Sequence, residues 1–422
     1  MKKKFGSLLF VGILILFCTY GAGLEARPVS GNVSDGQGSG EVAMATTPQP
    51  GMLTTQTPEN LPEVGEKHPA DITETPEPTE APTPEPTSTP EPTPSPEPTP
   101  EVVEILLSAA GDVTLGNTHL QGYDGTFRKE YDVQNNPGYF FENVKSIFEE
   151  DDMTIVNFEG VLTLHDERVE KAFNLKGDPE YIQILTEGSV EAVSFGNNHR
   201  MDYGQRGSDD TVELFKQAGI AYAYDEFVGI YEVKGLKVGF VSVNEVYDGE
   251  AVESFLEEGI KSLQDEGVDL IIACCHWGIE THHYIEDYQE ELGKKCIDWG
   301  ADLVLGHHPH VLQGIEKYKD RYIVYSLGNF CFGGNKNPKK KETMIFQKTF
   351  TFVDGELQLD DNIKIIPCYI TSVKNRNNFQ PTPAEGKDAQ KIIDHVNDYS
   401  KSFGIKFNED GRLEEGTSAE RE

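Results

Sequence analysis

From Val102 onward the sequence predicts an α/β fold, and three observations carry that expectation. Short apolar, strand-like segments alternate with segments whose apolar residues recur at helical spacing. Six strand-like segments each end in a glycine-flanked polar or ionisable residue. The prolines stop short of this region: of 24 in the chain, 17 precede Glu101 and 7 follow it, so a globular core begins near residue 102.

Taken in order, residues 102–110 read as a strand and 140–148 as a helix. Residues 153–158 and 191–195 are short apolar strands, with 181–185 helical between them. A helix over 211–218 leads to a strand over 236–243, and a helix over 252–266 to a strand over 268–275. A helix over 289–299 and a strand over 301–305 complete the alternation. From Tyr322 the pattern changes to strands alone, over 322–327, 344–352, 357–359 and 363–370, which predicts a second sheet packed on the first. Residues 387–403 are expected to form a last helix, and the polar end after Asn408 to fray.

The chain before residue 102 is of another kind. Lys2, Lys3 and Lys4 form a basic cap, an unbroken apolar run follows from Phe5 to Phe17, and Gly21, Ala22, Gly23 and Ala26 offer small residues for cleavage. That is the pattern of a signal peptide or membrane anchor over residues 1–26. Residues 27–101 are poor in apolar side chains, and from Thr73 they repeat a Thr-Pro-Glu-Pro theme. Proline at nearly every second position favours extended polyproline II at about 3.1 Å per residue, so this segment reads as a disordered stalk. The expected division is therefore 1–26, 27–101, a folded domain over 102–375, and a C-terminal helix and polar tail over 376–422. The expected location is extracytoplasmic, at the cell-envelope surface, secreted or anchored by the N-terminal segment.

Lys and Arg number 36 against 72 Asp and Glu, a formal charge of -36. Such a surface repels nucleic acid and anionic lipid headgroups, so nucleic acid is excluded as a partner and membrane contact is left to the N-terminal segment alone. Beyond Cys18 the cysteines are Cys274, Cys275, Cys296, Cys331 and Cys368, odd in number and irregular in spacing. They make neither a disulfide framework nor a zinc pattern. Any metal must be held by His, Asn and carboxylates.

The strand ends supply such residues. The successive segments finish in Gly111-Asp112, Glu159-Gly160, Gly196-Asn197-Asn198-His199, His276-Trp277-Gly278, Gly306-His307-His308-Pro309-His310 and Gly328-Asn329-Phe330. In open α/β sheets the carboxyl ends of the strands form the ligand-binding edge, so these residues are expected to converge. Each has an ordinary alternative: Asp112 and Asn198 as turn residues, Glu159 as a surface charge, His199 as a satisfied structural histidine. Three histidines within four positions after a buried strand are harder to explain as packing. Carboxylates mixed with imidazoles suit divalent Mn, Fe or Zn, and two such ions close together clamp a phosphoryl oxygen and activate water.

These motifs resemble the CapA family of poly-γ-glutamate capsule synthesis proteins, also called PgsA-like, a branch of the calcineurin-like metallophosphoesterase superfamily. The resemblance runs in order from Ala109-Ala110-Gly111-Asp112 through Asn157-Phe158-Glu159, the Asn198-His199 motif with Asp202-Tyr203-Gly204, and His276-Trp277-Gly278. It continues through Gly300-Ala301-Asp302 and His308-Pro309-His310 to Tyr325-Ser326-Leu327-Gly328-Asn329-Phe330. It implies a four-layer fold of two packed mixed β-sheets flanked by helices. It implies two divalent metal ions, Mn, Fe or Zn, held by Asp112, Glu159, Asn198, His276, His308 and His310. His199 matches the histidine that assists the leaving group, while His307, Asn197 and Asn329 fall in supporting or substrate-facing positions. Three departures stand out. Thr114 occupies the place of the superfamily's first-motif histidine, Asn117 a place often held by Arg, and Thr281 a place commonly aromatic.

The function implied is synthesis, export or anchoring of an anionic capsular polymer such as poly-γ-glutamate, by metal-dependent hydrolysis. The implied partners are that polymer or its synthase complex. The alternative is a non-catalytic envelope scaffold or polymer-binding subunit that retains the metal fold.

Overall fold

The computed structural model describes residues 99–249 and 251–414. The expected leader, nearly all of the stalk and the last eight residues lie outside the described residues. Among the described residues no helix is long and apolar enough to cross a membrane.

In chain order the first half runs β1 (Val102–Thr114), β2 (Asn117–Thr118), α1 (Phe127–Gln134), α2 (Lys145–Glu150), β3 (Met153–Phe158), β4 (Val161–Leu162) and β5 (Leu175–Gly177). It continues α3 (Ile182–Glu187), β6 (Ala192–Ser194), α4 (Gly204–Ala218) and β7 (Ala221–Ala223). The second half opens β8 (Gly229–Val233), β9 (Leu236–Asn244), α5 (Glu245–Asp248), α6 (Ala251–Asp265), β10 (Leu270–His276) and α7 (Asp287–Trp299). Then come β11 (Leu303–His307), β12 (Ile315–Tyr318), β13 (Arg321–Val324), β14 (Asn329–Phe332), β15 (Glu342–Val353), β16 (Glu356–Gln358), β17 (Ile363–Tyr369), β18 (Thr382–Pro383) and α8 (Gly386–Ser400).

Two mixed sheets pack face to face. The larger has the order β18-β17-β15-β1-β3-β6-β7, with β14 also pairing β1 and β16 pairing β15. The smaller has the order β12-β13-β11-β10-β9-β8. Alternation along the strands divides the apolar side chains between three layers of core. Ile105, Leu107 and Ala109 of β1 meet Ile272 and Cys274 of β10 and Leu303 and Leu305 of β11 between the sheets. The opposite face of the first sheet, with Val113 and Val156, is covered by Phe127 of α1, Leu185 of α3 and Phe215 of α4. The outer face of the second, with Val241 and Ala273, is covered by Leu256 and Ile260 of α6 and Cys296 of α7. The layers are therefore helix, sheet, sheet, helix, as expected from the sequence.

Two local expectations are corrected. Residues 140–148 form a 3-10 turn (Pro137–Phe140), a connecting bend and then α2 rather than one helix. Phe140, Phe141, Val144 and Phe148 are all buried, so their spacing marks packing against one core and not helical continuity. The strands beyond Tyr322 do not build the second sheet by themselves. Strand β13 joins β11, while β15 runs antiparallel along β1 from Val102↔Val353 to Ala109↔Phe346 and extends the first sheet. The second sheet had already begun at β8.

The parallel strands β1, β3 and β6 of one sheet, and β9, β10 and β11 of the other, bring their carboxyl ends to a common edge. Gly111 makes the closest approach there. A Cβ built at this position would lie 1.9 Å from the carbonyl oxygen of Gly328, so only glycine lets the end of β1 reach the segment leading into β14.

Candidate metal centre

At that edge Asp112 and Glu159 are both fully buried. Asp112 lies within β1, beside a register shift against β3 between Ala110 and Asp112. Its Oδ1 accepts a hydrogen bond from Asn157 Nδ2 at 2.8 Å and lies 3.5 Å from His307 Nδ1. Its Oδ2 lies 3.0 Å from His310 Nδ1, off the line that a hydrogen bond needs. Glu159 follows β3, its backbone N–H donating to the Val113 carbonyl at 2.8 Å. Glu159 Oε1 faces three imidazoles: His199 Nε2 at 3.6 Å, His310 Nε2 at 3.7 Å and His276 Nε2 at 3.9 Å. Asn198 closes the group, its Oδ1 3.1 Å from His276 Nε2, and the His276 and His308 rings are 4.8 Å apart between centroids.

All ten residues singled out in the sequence belong to this network, though not in the same way. Asn197 braces it: its Nδ2 donates to the Phe158 carbonyl at 2.8 Å and its Oδ1 accepts from the His199 N–H at 3.0 Å. Asn329 Nδ2 donates to the His310 carbonyl at 3.2 Å. The Thr114 hydroxyl donates to the Glu159 carbonyl at 2.8 Å and so fixes the backbone of that glutamate. Thr281, with φ of 66°, ties its N–H to the Pro309 carbonyl at 2.8 Å and holds the loop after β10 against the histidine loop.

The electrostatics suit a cation. Burial pushes Glu159 up to about 8, partly offset by His310. Burial alone would raise Asp112 as well, but the imidazoles of His307 and His310 hold it well below the usual carboxylate range. Burial would lower His310, yet the carboxylates of Glu159 and Asp112 on either side raise it to about 10. Glu159, Asp112 and His310 therefore titrate as a unit that favours positive charge between the carboxylates. Burial, reinforced by neighbouring imidazoles, keeps His276 well below its ordinary value and His308 at about 4, so both present neutral rings with lone pairs.

The donor set fits a divalent metal. Glu159, His308 and His310 each offer one ligand atom within 4.8 Å of the others. Buried yet without hydrogen-bond partners among the described residues are Asp112 Oδ2, both carboxylate oxygens of Glu159, and Nδ1 of His307, His308 and His310. Orphaned buried carboxylate oxygens are costly unless a cation meets them. Mixed carboxylate and imidazole donors match Mn, Fe or Zn better than Mg or Ca.

Three further residues serve the site without having been assigned to it from sequence. Asn157 touches both Asp112 and, at 3.3 Å, His276 Nδ1. Asp202 Oδ2 lies 2.6 Å from His199 Nδ1. Lys171 Nζ donates to Asp202 Oδ1 at 2.7 Å and to the Asn198 carbonyl at 2.6 Å. Asp202 had a signal, three positions from His199 and inside a quoted motif. Asn157 had one too, a polar residue in an apolar strand. Lys171, in the irregular stretch before β5, had none.

Comparison with known proteins places the chain. Residues 106–334 match the family described as bacterial capsule synthesis protein PGA_cap. Capsule biosynthesis protein CapA of Bacillus anthracis is 28% identical over 255 residues, which cover 54% of this chain and 60% of that protein. PGA biosynthesis protein CapA of Bacillus subtilis (strain 168) is 28% identical over 229 residues, covering 49% and 60%. The chain thus spans about three fifths of the length of these two relatives. Among solved structures, the calcineurin-like phosphoesterase YfkN from Bacillus subtilis aligns with a TM-score of 0.41 and 15% identity, covering 72% of this chain and 98% of that one.

Proposed function

The chain belongs to the bacterial capsule synthesis protein PGA_cap family, and on that premise we propose that it is a metal-dependent hydrolase acting in the synthesis, export or anchoring of an anionic capsular polymer, poly-γ-glutamate. The observation that supports this best is Glu159: fully buried, both oxygens unpartnered among the described residues, and faced by His199, His276 and His310. Asp112, Glu159, Asn198, His276, His308 and His310 would hold two divalent ions, Mn, Fe or Zn. Such ions supply Lewis acidity and lower the pKa of bound water.

The chain's own residues supply the rest. The Asp202 carboxylate accepts from His199 Nδ1 and so turns Nε2 toward Glu159 and the open side of the site. That nitrogen is the atom placed to move a proton to or from a reacting oxygen. Lys171 ties the Asn198 carbonyl to Asp202, so that the loop carrying Asn198 and His199 holds one geometry. From behind, Thr114 fixes the Glu159 backbone and Asn157 orients the Asp112 carboxylate.

Export is the location we infer from the basic cap at Lys2–Lys4, the apolar run after it and the proline-rich segment that follows. The polymer or its synthase complex is the proposed partner. A non-catalytic scaffold or polymer-binding subunit is the second reading, and the Thr114 contact favours it, because a hydroxyl committed to the Glu159 carbonyl replaces a histidine donor.

Turnover separates the two. The full chain, supplied with Mn, is assayed on a generic phosphodiester and on poly-γ-glutamate beside a His276→Ala variant. Hydrolysis that the substitution abolishes supports the enzyme; hydrolysis that survives it unchanged places the chemistry elsewhere.

A further inference from the structure

Beside the candidate metal centre opens a cleft of about 470 Å³, lined among others by His199, His310, Asn329, Phe173, Lys339 and Lys340. That volume suits a ligand of several groups rather than a bare ion. Two features mark it as built for one. Asn329, 4% exposed, leaves its Oδ1 without a hydrogen-bond partner among the described residues. Phe173, at 56% exposure, presents an apolar ring to the cleft.

The charge on the wall is the more telling feature. In a chain of net charge -36, residues 333–341 read Gly-Gly-Asn-Lys-Asn-Pro-Lys-Lys-Lys, with four cations and no acid. The segment is pinned at several points. The Gly333 N–H donates to the Thr114 carbonyl at 2.9 Å, and Gln121 Nε2 donates to the Gly334 carbonyl at 2.8 Å. Lys336 Nζ donates to the Asp124 carbonyl at 2.7 Å and Lys341 Nζ to the Arg376 carbonyl at 3.0 Å. Two lysines thus anchor the loop. The two between them, Lys339 and Lys340, are exposed and make no hydrogen bond or ion pair among the described residues. An ordered loop that holds two unpaired ammonium groups beside a cleft, on a protein otherwise rich in carboxylates, is arranged to receive negative charge.

We propose that Lys339 and Lys340 form an anion-gripping rim that draws an extended polyanion across the cleft, past Phe173. The proposal rests on the reading that this cleft receives the substrate, and it names what selects that substrate: repeating negative charge spaced along a flexible chain. Lysine is a point charge without the planar fork of arginine, so carboxylate and phosphate chains share the chemistry. The rim also answers how a protein of this net charge holds a polyanion at all.

The test is binding, read by fluorescence anisotropy with labelled poly-γ-glutamate, labelled polyphosphate and a neutral dextran, on the full chain. A Lys339→Gln/Lys340→Gln variant is expected to weaken binding about fivefold to tenfold, as two exposed ion pairs near the upper end of surface values allow. Since neither ammonium is bonded among the described residues, the variant's melting temperature should match the parent's. Lys261→Gln/Lys295→Gln removes the same charge from α6 and α7 in the outer layer, and should change affinity by less than about twofold if the rim acts locally. Loss of either polyanion in the rim variant alone supports the rim and identifies the charge it takes. No polyanion binding by the parent chain, equal loss in both variants, or equal binding of dextran overturns it. Mn-dependent phosphodiester turnover, measured on the same samples, tests the hydrolase reading separately, because binding to the rim requires no turnover.

Discussion

Asp202 Oδ2 sits 2.6 Å from His199 Nδ1, and this pairing decides which nitrogen of His199 faces the site. Burial lowers the His199 pKa and Asp202 opposes that shift. Asp202→Asn keeps the shape but removes the charge that orients the ring. It should lower kcat on a phosphodiester by about 10- to 100-fold with little change in KM or metal content. A matching rise in KM would mean that Asp202 acts on substrate binding instead.

The approach of β1 to Gly328 predicts a large cost for one methyl group. Gly111→Ala places a Cβ 1.9 Å from a backbone oxygen that cannot rotate away. Overpacking of this kind costs about 1–3 kcal/mol, and here the upper end applies because both partners are main chain. Urea unfolding should show a lower midpoint with an unchanged slope. A midpoint equal to the parent's would refute the close approach.

A second pair of carboxylates, away from the candidate metal centre, sets a pH dependence. Burial pushes Asp151 up to about 6 and Glu191 up to about 7, the second helped by the nearby Asp151 charge. Both are held by Thr154, whose hydroxyl donates to Asp151 Oδ2 at 2.7 Å and whose N–H donates to Glu191 Oε2 at 2.8 Å. Raised folded-state values mean that the folded protein binds protons more tightly than the unfolded chain. Their stabilising contribution is complete below the ordinary carboxylate pKa of about 4 and is lost as pH rises through about 6 to 7. Thermal melts of Asp151→Asn/Glu191→Gln should therefore fall less than the parent's between pH 5 and 7. Parallel curves would show that neither group is shifted.

The layered α/β plan was legible in the sequence because strands buried on both faces read as apolar runs, and the ends of those runs carry glycine beside a polar group. The candidate site residues were legible for the same reason: Asp112, Glu159 and His276 interrupt or close apolar segments where a polar group has no structural cause. What the sequence concealed was pairing. Nothing local to β15 says that it lies along β1 rather than in a sheet with β13, since antiparallel pairing is fixed by contacts more than 200 residues apart. The break between Pro137–Phe140 and α2 was hidden because Phe140, Phe141, Val144 and Phe148 pack into one core at a spacing that also fits a helix. Lys171 was invisible because a lysine in an irregular segment looks like solvent-facing charge until the fold brings it to Asp202.

The metal content of the purified full chain is the most direct measurement, taken by elemental analysis together with melting temperature before and after chelation, for the parent and for Glu159→Gln. The parent is expected to bind Mn, Fe or Zn stoichiometrically and to melt lower once stripped, whereas Glu159→Gln should bind less metal and melt alike in both conditions. A parent that takes up no divalent ion, with a melting temperature indifferent to chelator and to added Mn, would contradict that expectation.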